Sequence, residues 1–115
     1  MEFEILKKKK DFKKLSREGK IVDNKYLYLY VLKGSQDANS VKIGISISKK
    51  IGSSVERNRI RRVLKEVFRK LDVNYRGSFE LLCIAKKDVC RANFWDIKKE
   101  VEEDLNSLLS PENKY

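Results

Sequence analysis

The sequence contains no histidine, only one proline (Pro111) and two cysteines, and no long apolar run. Each shortage removes a class of function. Without an imidazole the usual Ser-His and Cys-His nucleophile arrangements are excluded, and without a Cys pair at CxxC spacing a zinc site is not expected. Any catalysis in which this chain takes part is therefore expected to draw its chemistry from another component. Cys83 and Cys90 could close a short disulfide loop, but nothing else points to an oxidising compartment. Cys83 lies in an apolar run and reads as a buried free thiol. A membrane-spanning helix needs roughly 20 apolar residues, which the chain does not supply. The opening MEFEILKKKKDF lacks the apolar segment of a signal peptide, so a cytoplasmic location is the default expectation.

What is abundant is positive charge. The 115 residues carry 27 Lys and Arg against 17 Asp and Glu, a net charge of +10. That length suits a single domain over residues 1–115. The imbalance calls for a polyanionic partner, with nucleic acid the first candidate, because clustered cations gain affinity by releasing counterions from phosphates. An anionic membrane surface is the second, but that reading wants a basic amphipathic helix with little around it. This chain also has strands.

YLYLYVL (26–32) alternates with period two, placing Leu27, Leu29 and Val31 on one face and Tyr26, Tyr28 and Tyr30 on the other. VKIGISIS (41–48) does the same, with Val41, Ile43, Ile45 and Ile47 inward and Lys42, Gly44, Ser46 and Ser48 outward. KGSQDANS (33–40) reads as the turn between them. If the two strands pair as a hairpin, tyrosines and small residues share a shelf opposite the aliphatic face. FELLCIA (79–85) reads as a third, well-buried strand. A short helix over KKLSREGK is expected, capped by Asp11 and stopped by Gly19. Asn93 caps a last helix with Phe94, Ile97, Val101, Leu105 and Leu108 as its apolar stripe and an acidic outer face. The order helix, strand, strand, helix, strand, helix gives an α+β fold, helices on a small mixed sheet.

The densest charge lies between Lys49 and Lys70, where nine basic residues stand against Glu56 and Glu66. Ser53 and Glu56 match a capping box. From there Ile60, Val63, Leu64, Val67, Phe68 and Leu71 gather on one helical stripe, while Asn58, Arg61, Arg62, Lys65 and Arg69 project from the other side. Glu66 stands four residues from both Arg62 and Lys70 and is expected to tether them. Guanidinium forks suit phosphate oxygens, and a helix start beside Lys49 and Lys50 is a general anion site. The alternative is a solvated charged face, although such faces normally mix signs. The tyrosine row fits ordinary cross-strand packing as well as a shelf for stacking single-stranded bases; Phe12 fits a core position as well as a ligand contact.

Arg57-Asn58-Arg59-Ile60-Arg61-Arg62, with Leu64, Glu66, Phe68 and Arg69, resembles the signature helix of the protein component of bacterial ribonuclease P. Asp11-Phe12, Gly19, YLYLYVL and GISISKKIG (44–52) fall in that family's order and spacing, so the resemblance covers nearly the whole chain. It implies an α/β sandwich of a small mixed sheet and about three helices with a left-handed βαβ crossover, an exception to the usual handedness. It also implies a ribonucleoprotein that removes the 5′ leader of precursor tRNA, with the chemistry carried out by the RNA subunit and its magnesium ions. Carried over by position, Arg57, Asn58, Arg59, Arg61, Arg62, Lys65 and Arg69 would bind the RNA subunit. Phe12, Tyr28, Tyr30, Ser46 and Ser48 would line a cleft for the leader, with Lys49 and Lys50 at its end. No residue of this chain is expected to be catalytic or to hold metal. The family often has an aromatic where Ser16 stands and Asn-Ala at Ser53-Ser54. Rival readings are a stand-alone RNA-binding protein, a DNA-binding regulator lacking the short helix that precedes a recognition helix, and a protein-only nuclease, which would need clustered carboxylates.

Overall fold

The computed structural model describes residues 1–34 and 38–109. Among them the chain runs β1 (Glu4–Ile5), α1 (Lys9–Glu18), β2 (Lys20–Asp23), β3 (Leu27–Lys33), β4 (Ser40–Ser46), α2 (Ser54–Arg69), β5 (Ser78–Ala85) and α3 (Phe94–Leu109), with 3-10 turns at Lys49–Ile51 and Lys87–Arg91. The five strands form one mixed sheet in the order β1-β4-β5-β3-β2. The expected fold of three helices on a small mixed sheet is what the chain adopts. Part of the 33–40 loop and the tail with Pro111 fall outside the described residues.

β3 and β4 are not a hairpin. β5 lies between them, antiparallel to β3 and parallel to β4. The physical reason is burial: β5 is the most continuously apolar strand, and a strand covered on both faces belongs at the centre of a sheet. The β4–β5 pairing is parallel, so α2 is a crossover. Two short strands escaped the pattern. β1 pairs parallel with β4 and β2 antiparallel with β3, each at an edge and too short for a periodic signal.

One face of the sheet carries Leu27, Leu29, Val31, Val41, Ile43, Ile45, Phe79, Leu81 and Cys83, all buried in one cluster with Ile60, Leu64, Val67 and Phe68 of α2 and Ile97, Val101 and Leu105 of α3. The free thiol of Cys83 is buried as expected, and burial pushes its pKa far up. Tyr26 departs from its expected face: it precedes β3, is 8% exposed and joins this core. Asn24 turns β2 into β3, its Oδ1 accepting from the Tyr26 and Leu27 amides at 2.9 and 2.8 Å.

α1 covers the other face, against β3 and β5. Leu15 and Leu82 are buried there, apart from the main cluster. The helix starts at Lys9 with Lys8 as N-cap, three positions before the expected cap; Asp11 sits in its first turn, where a carboxylate favours the helix dipole. Gly19 ends it as expected, its amide donating to Leu15 O at 2.8 Å.

The acids of α3 serve the fold. Glu100 accepts from the Lys25 amide, Asp104 from Asn24 Nδ2, and Glu102 from the Asp72 amide and Lys98 Nζ. Those bonds hold Glu102 below the ordinary 4.5, the Asp72 amide contributing most. Asn93 caps α3 as expected, accepting from the Asp96 amide at 2.9 Å.

Candidate nucleic-acid interface

α2 begins where two serines stop the chain twice in succession. Ser48 Oγ accepts from the Lys50 amide at 3.1 Å and closes the 3-10 turn, and Ser53 Oγ accepts from the Glu56 amide at 3.2 Å and starts the helix. The Ser53 half of the expected capping box is present; the Ser53 hydroxyl in turn donates to Glu56 Oε1 at 3.4 Å. Ser53 thus performs the cap with no help from an amide side chain.

From this start the periodicity divides the helix as the sequence indicates. Ile60, Leu64, Val67 and Phe68 are buried and Val63 is half-buried. Asn58, Arg59, Arg62 and Arg69 are exposed; Arg57, Arg61 and Lys65 are half-buried, and the Nε of Arg57 is buried. Asn58, Arg61, Arg62, Lys65 and Arg69 recur at three- and four-residue spacing, so they form one ridge. Glu66 does not tether Arg62 or Lys70. It holds Arg69 Nη1 at 2.7 Å, the neighbour three residues on. Arg57 Nη2 donates to Ser54 Oγ at 3.2 Å. Among the described residues Arg59, Arg61, Arg62 and Lys65 have no carboxylate partner. The ridge therefore holds a surplus of cations that a polyanion would neutralise.

The predicted cleft residues come from both sides of the α1 layer. Phe12 projects from α1 onto β4 so closely that a Cβ on Gly44 would meet its ring at 2.5 Å. Gly44 is thus the gap that seats the aromatic. Strand register then sets two rows on this face: Tyr30, Leu82 and Gly44, followed by Tyr28, Ile84 and Ser46. Leu82 is buried beneath α1, whereas Tyr30, Ile84 and Ser46 are half-buried and Tyr28 is 38% exposed. Ser48, Lys49 and Lys50 follow β4 and are exposed. Ser16, one turn beyond Phe12, turns its hydroxyl back to Lys13 O at 3.0 Å and adds no ring.

Three residues at this site carry no local sequence signal. Ile84 supplies the apolar floor between Tyr28 and Ser46 because β5, not a hairpin partner, adjoins both strands. Lys86, just beyond β5, sets its ammonium 4.3 Å from the centroid of the Tyr28 ring. Asp23 of β2 stands opposite Tyr28 and pairs with Lys86. These contacts depend on which strands are neighbours.

A sheet with a cationic helix on one face and an aromatic, partly open cleft on the other defines a small basic α+β protein built to bind RNA. The comparisons identify the kind. The family model described as Ribonuclease P matches residues 1–109. The Ribonuclease P protein component of Clostridioides difficile is 40% identical over 98 residues, 84% of each chain, and that of Caldanaerobacter subterraneus subsp. tengcongensis is 36% identical over 95% of this chain and 92% of that protein. The solved RNase P protein from Thermotoga maritima superposes with a TM-score of 0.76 at 26% identity, over 90% of this chain and 96% of that one. The Staphylococcus aureus RNase P protein gives 0.73 at 26% identity, over 89% and 92%. The chain belongs to the ribonuclease P protein family, and its role is RNA binding in the 5′ processing of tRNA. No helix among the described residues is long and apolar enough to cross a membrane.

Proposed function

We propose that this chain bridges two RNAs in the holoenzyme. The ridge of Asn58, Arg61, Arg62, Lys65 and Arg69, with Arg57 and Arg59 beside it, binds the RNA subunit. The cleft formed by Phe12, Tyr28, Tyr30, Ser46 and Ser48, with Lys49 and Lys50, receives the single-stranded 5′ leader of precursor tRNA. The observation that carries the reading is the separation of these two surfaces onto opposite faces of one sheet: α2 sits with the core on one side and α1 with the tyrosines on the other. A rigid sheet between them fixes the leader relative to the catalytic RNA, which contributes by orientation. Aromatic rings and an apolar floor accept any base by stacking, so the cleft tolerates leaders of differing sequence.

Phosphodiester hydrolysis belongs in this reading to the RNA subunit and the magnesium ions it holds. The protein's own carboxylates Glu100, Glu102 and Asp104 are engaged as hydrogen-bond acceptors for its loops. The reading is tested by cleavage of a leader-bearing precursor tRNA at low magnesium by a bacterial ribonuclease P RNA, with and without the protein. Strong stimulation, with the protein alone inactive, is expected. Tight RNA binding without stimulation across several RNA types would instead make it a stand-alone RNA-binding protein.

A further inference from the structure

We propose that Asp23 governs how firmly the Tyr28 end of the cleft grips RNA, acting as a positioning residue through Lys86; this rests on the reading of the cleft as the leader site. Strand register brings the three residues together. β2 sets Asp23 opposite Tyr28, β5 sets Ile84 on its other side, and Lys86 leaves β5 two residues later. The lysine is pinned from several directions. Its ammonium pairs with the Asp23 carboxylate, donates to Asn24 O at 2.6 Å and lies over the Tyr28 ring, while its backbone amide donates to Tyr26 O at 2.9 Å. An ammonium has three protons to place, and here two meet oxygens while the charge meets an aromatic face.

The pair is asymmetric in exposure. The Lys86 side chain is 23% exposed and that of Asp23 61%. An approaching phosphate therefore meets the carboxylate before the cation. One face of Tyr28 is covered by the ammonium, so a base stacks on the remaining face and edge. The positive charge nearest that base is cancelled locally, and Lys86 reaches a phosphate only when it leaves Asp23, which lowers apparent affinity by the fraction of time it is released. Asp23 thus leaves this end with stacking but little phosphate grip, a setting suited to a leader that must depart after cleavage.

The test uses the holoenzyme, measuring affinity for a precursor tRNA with its leader and for the same tRNA without one, across a salt series. Asp23→Asn is expected to tighten leader-bearing precursor about fivefold and to steepen the salt dependence by about 0.7, the value for one further phosphate on a single strand. Leaderless tRNA is expected to be unaffected, and Asp23→Glu to restore the original behaviour. In a Lys86→Met background Asp23→Asn should gain nothing, because its effect is routed through the lysine. A gain that persists in that background, or an unchanged salt slope, would overturn the proposal. If Tyr30→Ala leaves the leader-dependent part of the affinity intact, the cleft reading itself has failed and the proposal goes with it.

Discussion

The division of α2 into a packing face and a binding face makes a quantitative prediction for Arg61→Ala plus Arg62→Ala. Arg62 is exposed, Arg61 is half-buried, and neither has a carboxylate partner among the described residues. Surface substitutions of this kind change stability by about 0.5 kcal/mol or less each, so the melting temperature should fall by no more than a few degrees. Binding responds differently. Each phosphate neutralised on a duplex adds about 0.9 to the slope of log affinity against log salt. Losing two should flatten that slope by about 1.8, so between 50 and 200 mM salt the parent protein loses about tenfold more affinity for the RNA subunit than the variant. Filter binding across a salt series, beside a thermal melt, reads both quantities. Leu64→Ala is the complementary perturbation: the side chain is fully buried, and truncation should cost about 2–5 kcal/mol while leaving the salt slope of the surviving folded protein unchanged. A double-arginine variant that melts ten or more degrees lower, or keeps the parental slope, would refute the separation of the two faces.

The seat of Phe12 gives a second prediction. Gly44→Ala places a methyl group 2.5 Å from the Phe12 ring, so the ring or α1 must shift, at a cost of about 1–3 kcal/mol; preference for leader-bearing over leaderless tRNA should drop while affinity for the RNA subunit is kept, as competition binding would show. Glu102 gives a pH dependence. Its folded pKa lies below its ordinary value of 4.5, so its contribution is present above that value and lost as pH falls through the folded one. Glu102→Gln should therefore destabilise the protein by about 1 kcal/mol near neutral pH, with the difference from the parent shrinking below pH 4.5 in urea melts; a constant difference across pH would exclude the charged form as the source.

Helix α2 is legible in the sequence because everything that defines it is local. Its cap, its apolar stripe and its cationic ridge all lie between Ser53 and Leu71, and a period of 3.6 assigns each side chain to a face without reference to the rest of the chain. The same holds for the inward faces of β3 and β4, where period two separates Leu29 from Tyr30 and Ile45 from Ser46. In α2 the partner of Glu66 differs from expectation: several cations stand within its reach, and it takes Arg69 at i,i+3.

The neighbours of those strands were decided by tertiary structure. Alternation states which face a residue takes and is silent about which strand lies beside it, so a β3–β4 hairpin was open from the sequence, and β5, whose burial on both faces outweighs sequence proximity, lies between them instead. Ile84 and Lys86 entered the cleft by that route, and Asp23 by the pairing of β2 with β3. The sequence by itself thus determined the element types, the buried faces and the cationic helix, all products of short-range periodicity. Long-range strand order, set by where the most apolar strand can be covered on both sides, determined which side chains surround Tyr28.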